Sequence, residues 1–398
     1  MRISAAATSL LAAVTVLVLA ARVSTTTPAP APATAPASAP APGPSAQESV
    51  PARAFLVFGD SLVDSGNNNY LITTARADSP PNGIDYPHQQ PTGRFSNGLN
   101  FPDLIAEALE LESPLPFLNP DLKGKKLLAG ANFASAGIGV LNDTGFQFVT
   151  VLKMYEQLGM FLEYKHRLAA LLGPAKAQEV VSNAVILITC GGNDFVNNYF
   201  LTPVAPRRKQ YTLPDFCSYV MSEYKKHLLA LYGLGARRIV VTGTGPLGCI
   251  PAELAFYGSM NGECADEPQE AAKMFNPKLF DLVDELNRDI GEDVFISANA
   301  FSLKMDMIEK PEQYGFKTSK VACCGQGMYN GLGMCTEMSN LCSNREEYVF
   351  WDPYHPTEKA LRIMVKKLMN ASTDHIRPMN LSTMMAVDAA AAADRAIN

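Results

Sequence analysis

Short apolar runs recur along this chain, and each ends abruptly in Gly, Asn, Asp or Pro, a pattern typical of buried strands followed by turns. Amphipathic stretches separate the runs; Leu361, Met364 and Leu368, for example, fall on one helical face. Strand, loop and helix in repetition predict a mostly parallel sheet with helices on both faces. The predicted strands span residues 54–58, 127–133, 184–189, 239–242, 294–297 and 348–351, and the predicted helices span residues 151–172, 216–232, 275–290 and 358–369.

Several predicted strands run directly into polar sequences. Gly-Asp-Ser follows the first strand, Gly-Gly-Asn-Asp comes just after the strand at 184–189, and Asp-Pro-Tyr-His follows the strand at 348–351. The carboxyl ends of parallel strands line the ligand crevice in sheets of this kind. We therefore expect these sequences to share one site.

The two ends of the chain differ in composition from the part between them. An apolar stretch at residues 10–21 is too short to cross a bilayer and is followed by small residues, so residues 1–23 are predicted to be a signal peptide. Residues 24–51 are almost entirely Pro, Ala, Ser and Thr, which predicts a linker. We expect one catalytic domain over residues 52–382 and a flexible tail over residues 383–398.

Charge and composition exclude some classes of partner. The formal net charge is −6, and no basic block is present that would attract a phosphate backbone, so nucleic acid is not expected as a partner. No later segment is predicted to cross a membrane. Sequons for glycosylation of a secreted protein begin at Asn142, Asn370 and Asn380.

Eight cysteines in a secreted chain indicate disulfides. Zinc binding is the alternative, but the chain has only five histidines and no paired C-x-x-C units, so no metal is expected. Cys190 and Cys217 are predicted to be either unpaired or bridged to each other. The six cysteines expected to form most of the bridges are Cys249, Cys264, Cys323, Cys324, Cys335 and Cys342.

Ser61 is the candidate nucleophile. It comes just after the first strand, where Gly59 permits a tight turn that would expose the serine in the crevice. A serine in this place could equally cap the following helix. The Gly-x-Ser-x-Gly motif of the α/β-hydrolases is absent from the chain.

Asp352 and His355 are the candidate partners of that serine. A tight turn could bring the Asp352 carboxylate to one ring nitrogen of His355 while the other nitrogen faces Ser61. Pro356 suits the first position of a helix, which would place His355 near the N-cap, where the helix end favours neutral imidazole. A simple helix-capping turn is the alternative interpretation.

Acyl transfer also needs donors to an oxyanion. The Asn193 side-chain amide and the backbone N–H groups of Gly137 and Gly139 are candidates, although each could instead be an ordinary turn residue. A nucleophile, a base with its orienting carboxylate and two donor sites, each near a different strand end, together predict a serine hydrolase.

These residues lie in sequences that resemble the GDSL, or SGNH, hydrolase family, specifically its plant esterase/lipase branch. The resemblance extends from about residue 55 to residue 381. The matching sequences are Phe-Gly-Asp-Ser-Leu-Val-Asp-Ser-Gly-Asn-Asn-Asn (58–69), Pro-Thr-Gly-Arg-Phe-Ser-Asn-Gly (91–98), Ala-Asn-Phe-Ala-Ser-Ala-Gly-Ile-Gly (131–139), Gly-Gly-Asn-Asp (191–194), Gly-Pro-Leu-Gly-Cys-Ile-Pro (245–251) and Phe-Trp-Asp-Pro-Tyr-His-Pro-Thr-Glu (350–358).

The resemblance implies an α/β fold, a three-layer α/β/α sandwich with a flavodoxin-like parallel sheet of about five strands. It also implies Ser61 as nucleophile and an oxyanion hole formed by the Ser61 N–H, Asn193 and a glycine. We prefer Gly139 for that glycine, with Gly137 as the alternative. Cys190 departs from the family pattern, where an apolar residue is usual.

The implied activity is hydrolysis of carboxylic esters, either lipid or cell-wall esters, through an acyl-enzyme and without a cofactor. The alternatives are an acyltransferase of the cutin-building type and a non-catalytic lipid-binding wall protein. We expect a small-molecule or lipid ester substrate and a monomer. The implied location is extracellular, in the apoplast or cell wall, with the endoplasmic reticulum lumen as the alternative.

Overall fold

The computed structural model describes residues 53–200, 205–257 and 260–397. The predicted signal peptide and linker lie outside the described residues. The strands are β1 (Phe55–Gly59), β2 (Gly130–Asn132), β3 (Val185–Thr189), β4 (Ile239–Thr242), β5 (Phe295–Ala298), β6 (Cys324–Gly325), β7 (Asn340–Leu341) and β8 (Ile376–Arg377). The helices are α1 (Phe101–Ala108), α2 (Met154–Leu172), α3 (Pro174–Asn183), α4 (Gly192–Phe195), α5 (Pro206–Gln210), α6 (Leu213–Gly233), α7 (Pro251–Tyr257), α8 (Asp266–Ile290), α9 (Ala300–Glu309), α10 (Glu358–Asn370) and α11 (Leu381–Ile397).

The main sheet has the order β2-β1-β3-β4-β5-β8, and all neighbours pair in parallel except β5 and β8. The first five strands therefore form the flavodoxin-like parallel sheet that was expected, which confirms the predicted fold class. The sixth strand, β8, was not predicted. It has only two residues, too few to show a periodic pattern.

Helices cover both faces of this sheet. Leu56 and Phe58 of β1 belong to the core that includes residues of α2, α3, α6 and α8. Phe55 and Val57, the alternate residues, belong to the core shared with α1, α9, α10 and α11. Side chains of a strand alternate between its faces, so a strand buried on both faces is apolar throughout. This explains why the apolar runs predicted β1, β3 and β4 closely.

The predicted strand at residues 348–351 is wrong. This segment lies outside the main sheet, and its backbone accepts hydrogen bonds from the cysteine-rich segment instead. Cys323 N donates to Phe350 O at 3.0 Å, and Cys324 N donates to Trp351 O at 2.7 Å. Its apolar side chains are buried partly against disulfides, an environment that hydrophobic periodicity does not distinguish from a sheet.

Residues 383–398 were expected to be a flexible tail, and the structure differs. Most of this segment belongs to α11, in which Leu381 and Met384 are fully buried. Asp388 accepts hydrogen bonds from Arg53 Nη2 and Arg238 Nε, both at 2.7 Å. Alanine-rich sequence has high helix propensity, and these contacts anchor the helix to the sheet.

Three disulfides confirm the prediction of bridges in the second half of the chain. They join Cys249 to Cys264, Cys323 to Cys342 and Cys324 to Cys335. Cys190 and Cys217 are free and buried, so they are not bridged to each other. The last two bridges belong to the segment that supports Trp351.

The three sequons differ in accessibility. Asn142 and Asn370 are exposed. Asn380 is half-buried, and its side chain is used by the fold: Oδ1 accepts from Thr383 N at 2.9 Å, and Nδ2 donates to Ala371 O at 3.2 Å. A glycan on Asn380 would compete with that second hydrogen bond.

Among residues 53–200, 205–257 and 260–397, no helix is both long and apolar enough to cross a bilayer. In the same part of the chain, no group of three or more His, Cys, Asp and Glu side chains is arranged to hold a metal ion.

Candidate active site

A turn at the carboxyl end of β1 carries Ser61. Gly59 has φ of +131°, and a Cβ there would lie 1.9 Å from the carbonyl oxygen of Thr189 on β3, so only glycine fits. The Asp60 carbonyl accepts from Val63 N at 3.1 Å, which closes the turn around Ser61. Two neighbouring strands and a tight turn therefore fix the position of the serine.

The side chain of Gln157 in α2 forms two hydrogen bonds to the backbone of this turn. Its Oε1 accepts from Gly59 N and its Nε2 donates to Gly59 O, both at 2.9 Å, and the side chain is fully buried. Sequence analysis missed Gln157, which lies within a predicted amphipathic helix and belongs to no recognised motif. The pattern marks it only as a polar residue on the buried face of that helix.

Ser61, His355 and Asp352 form a continuous hydrogen-bonded set. His355 Nε2 lies 2.7 Å from Ser61 Oγ, and His355 Nδ1 lies 2.7 Å from Asp352 Oδ2. Asp352 Oδ1 also accepts from the backbone N–H groups of Tyr354 and His355 at 2.9 and 2.8 Å. Both Asp352 and His355 are buried, while Ser61 is half-buried and open to a cavity.

The expected tight turn is present and His355 lies near the N-cap of the next helix, but Pro356 is not the first residue of that helix. Helix α10 begins at Glu358, and its N-cap is Thr357, whose side chain accepts from Ala360 N. His355 therefore lies two residues before the N-cap, since Pro356 does not begin the helix. Asp352 is the carboxylate that contacts the imidazole directly.

Trp351 anchors the turn that carries Asp352 and His355. Its N–H donates to His355 O at 2.8 Å, and its indole Nε1 donates to Asn82 Oδ1 at 3.0 Å. The ring is fully buried beside Cys323, Cys324 and Cys335. The disulfide-bridged segment thus packs against the residue that precedes Asp352.

Asn193 lies at the start of the short helix α4. Its Nδ2 donates to Ile138 O at 2.8 Å, and its Oδ1 accepts from Asn197 Nδ2 at 2.9 Å. These contacts fix which end of the amide carries the donors. One N–H of Nδ2 remains for a ligand in the cavity that Asn193 lines with Ser61 and His355.

The two candidate glycines occupy different environments. Gly137 lines a cavity with Ser61, Asn193 and His355. Gly139 does not line either cavity beside Ser61 within the described part of the chain, and a Cβ at Gly139 would lie 2.4 Å from Asp194 Oδ2. Gly137 thus shares a cavity wall with Ser61, whereas Gly139 packs against the Asp194 carboxylate.

Asp194 holds the glycine-containing loop in place. Its carboxylate accepts from Val140 N at 2.7 Å, Leu141 N at 3.0 Å and Thr144 Oγ1 at 2.7 Å. Burial raises the pKa of Asp194 to about 6. The adjacent free thiol of Cys190 is buried too, and its pKa is raised by desolvation and by the charges of Asp194 and Asp60, which favours the neutral thiol.

The cavity beside Ser61 carries one carboxyl group and one amine that sequence analysis did not single out. Desolvation raises the pKa of Asp60 to about 7. Lys304 of α9 lines the same cavity, and desolvation lowers its pKa to about 8. No sequence motif contains Lys304, because α9 reaches the cavity only through the packing of the sheet.

A parallel α/β/α sheet with hydrogen-bonded serine, histidine and aspartate at its carboxyl edge defines a hydrolase of the serine type. The profile of the GDSL-like Lipase/Acylhydrolase family matches residues 55–368. The chain belongs to this family, and it is a carboxylic ester hydrolase.

Relatives from Arabidopsis thaliana are similar over most of their length. GDSL esterase/lipase At4g28780 is 61% identical over 342 residues, covering 86% of this chain and 93% of the relative. GDSL esterase/lipase At5g18430 is 60% identical over 339 residues, covering 85% and 94%. GDSL esterase/lipase LTL1 is 59% identical over 339 residues, covering 85% and 92%.

Proposed function

We propose that the protein hydrolyses carboxylic esters through an acyl-enzyme on Ser61. His355 Nε2 accepts the hydroxyl proton as Ser61 Oγ attacks the ester carbonyl, and it returns that proton to the departing alcohol. Water then attacks the acyl-enzyme with His355 again as base, which releases the carboxylic acid and restores Ser61. Asp352 orients the imidazole and stabilises its protonated form.

The negative charge that develops on the carbonyl oxygen needs donors on the other side of Ser61. We assign this role to the backbone N–H groups of Ser61 and Gly137 and to Asn193 Nδ2. The location of Gly137 and Asn193 on the cavity wall with Ser61 supports the assignment. Gln157 and Trp351 are positioning residues, because they contact the backbone that carries the catalytic groups.

The observation that carries this proposal is the pair of 2.7 Å hydrogen bonds from Ser61 Oγ to His355 Nε2 and from His355 Nδ1 to Asp352 Oδ2. A serine that merely capped a helix would need no such contact across 294 residues of chain. A base within hydrogen-bond distance of the nucleophile, and itself oriented by a carboxylate, is the geometry that acyl transfer requires.

The test separates the nucleophile from the oxyanion hole. Ser61→Ala should abolish both ester turnover and covalent labelling by a fluorophosphonate. Asn193→Ala keeps the hydroxyl and should reduce turnover about 100- to 1,000-fold, with labelling slowed but still located on Ser61. A folded Ser61→Ala protein that hydrolyses esters at the parent rate would rule out this site.

We also propose that the chain is secreted to the apoplast or cell wall, with glycans on Asn142 and Asn370, and that it acts there on lipid or wall esters. The three disulfides support an oxidising compartment. Amino-terminal sequencing of protein collected from the wall space should begin near residue 24, and glycosidase treatment should reduce its mass. Retention of residue 1 in the mature protein would contradict this proposal.

A further inference from the structure

Lys304 lies at the junction of two cavities beside the candidate active site. It lines the cavity that contains Ser61 and His355, and it also lines an adjoining apolar cavity between α9 and α10. Its amine faces the backbone of Gly245, where a Cβ would lie 3.1 Å from Lys304 Nζ. The amine thus reaches the wall of the space that a bound ester would occupy.

The amine of Lys304 has no close partner. Within the described residues, no acceptor lies within hydrogen-bond distance of Nζ, and no carboxylate forms an ion pair with it. Asp60 is the nearest source of opposite charge and acts only through space. A partly desolvated ammonium without a partner is costly to a fold, and side chains of this kind are concentrated at ligand sites.

The remaining cavity wall is compatible with a second negative charge. Asp60 is the only carboxyl group among the described residues that line this cavity. Burial raises the pKa of Asp60 to about 7, so Asp60 can take up a proton when another anion enters. Electrostatic repulsion between Asp60 and an anionic ligand at Lys304 is therefore weak.

We propose that Lys304 binds an anionic group of the ester substrate, a carboxylate or a phosphate, and gives the enzyme a preference for acidic esters. This inference rests on the function proposed above. The ammonium would donate charge-assisted hydrogen bonds to the anion, which are shorter and stronger than neutral ones. Lys304 is accordingly a specificity residue and takes no part in bond breaking.

The experiment compares matched neutral and anionic esters. The first series pairs monoesters of four- to eight-carbon dicarboxylic acids with esters of monocarboxylic acids of the same length. The second pairs a short-chain acylglycerol phosphate with the corresponding acylglycerol. The two series distinguish a carboxylate from a phosphate, and the range of lengths allows the anion to reach Lys304. We expect kcat/KM to favour the anionic member of at least one series.

Three variants identify the origin of that preference. In Lys304→Met, which removes the charge and keeps most of the unbranched side chain, the anionic-to-neutral ratio of kcat/KM should fall about 10- to 100-fold, whereas Lys304→Arg should retain most of it. Lys165→Met is the matched control, because the Lys165 amine bonds the Leu234 carbonyl and lines neither cavity. This control should leave the ratio unchanged.

Two results would overturn the proposal. One is a parent enzyme without preference for any anionic ester; the other is a Lys304→Met enzyme that loses activity equally on both members of a pair, which would show that Lys304 only balances Asp60. Fluorophosphonate labelling of Ser61 in each variant keeps these results separate from failure of the catalytic assignment. A parent protein that neither labels nor turns over any ester would contradict the proposed function itself.

Discussion

The Gln157 side chain accepts a hydrogen bond from Gly59 N–H and donates one to the Gly59 carbonyl, both at 2.9 Å. These two hydrogen bonds connect helix α2 to the turn that carries Ser61. Gly59 also lies against the Thr189 carbonyl of β3, so its contacts with Gln157 and Thr189 fix Ser61 relative to the sheet.

Gln157→Met should lower both stability and turnover. The substitution leaves a buried backbone N–H without its partner, which costs about 1 to 3 kcal/mol. The turn then holds Ser61 less rigidly, so kcat should fall more than KM rises. Urea unfolding and steady-state kinetics check the result, with the exposed Gln313→Met as control. Equal kinetics for the two variants would remove Gln157 from the positioning residues.

Alanine substitutions should distinguish Gly137 from Gly139. Gly139→Ala places a methyl group 2.4 Å from a buried carboxylate oxygen of Asp194, so the main effect should be lost stability. Gly137→Ala meets the partly exposed ring of Phe148 and should mainly slow fluorophosphonate labelling. Thermal unfolding and labelling rates measure the two effects.

Gly137 also has φ of +88°, so the strain of alanine in the left-handed region needs its own control. Gly291→Ala provides it, because Gly291 has φ of +82° in the left-handed region and open space around the new methyl group. Such strain costs about 1 to 2 kcal/mol. If Gly137→Ala labels at the rate of Gly291→Ala, a methyl group at residue 137 does not hinder the reagent, which would count against a position of Gly137 beside the oxyanion.

Removing the bridge between Cys324 and Cys335 by double substitution to serine should reduce activity as well as stability. Loss of a bridge typically costs about 2 to 5 kcal/mol. Here Cys324 N also donates to Trp351 O, next to Asp352, so kcat should fall. The serine pair at Cys249 and Cys264 should lower stability with less effect on kcat. Calorimetry and kinetics at 25 °C test this difference, and equal losses of kcat would contradict it.

Glu253 should make the protein less stable as pH rises. Burial raises its pKa to about 8, and neither carboxylate oxygen has a partner among the described residues. The folded state therefore holds a proton that the unfolded state has released, and stability falls between the unfolded pKa of 4.5 and about 8.

Glu253→Gln removes this titration. At pH 8.5 the free energy of unfolding measured with urea should be about 1 to 4 kcal/mol higher for the variant than for the parent, whereas at pH 5 the two should be similar. The exposed Glu309→Gln should follow the parent at both pH values. A Glu253→Gln protein with the parent's pH dependence would show that Glu253 ionises freely in the fold.

The strands of the parallel sheet were the most predictable part of the fold. Residues of β3 and β4 are apolar on both faces because helices cover both, so the run of apolar residues coincides with the strand. The segment at 348–351 is apolar as well, but it is buried partly beside disulfides and is not in the sheet. An apolar composition predicts that a segment is buried, but it does not predict whether the segment packs in a sheet or beside disulfides. The strand predicted at 348–351 was wrong for this reason.

The site residues that could be predicted are those that directly follow adjacent strands or lie close together in the sequence. Ser61 and Asn193 follow β1 and β3, which are adjacent in the sheet, and the three-residue spacing of Asp352 and His355 suffices for their contact. Gln157 and Lys304 lie on helices, and their approach to the site depends on how α2 and α9 pack. No local pattern encodes that packing.

Trp351 is the single tryptophan of the chain, and it lies one residue before Asp352 among three bridged cysteines. Indole emission shifts with exposure to water, and neighbouring disulfides quench it. The intrinsic fluorescence of the protein is therefore an optical probe of the segment that carries Asp352 and His355. Local loosening there would appear as a brighter, red-shifted signal while the far-ultraviolet dichroism of the distant helices stayed constant.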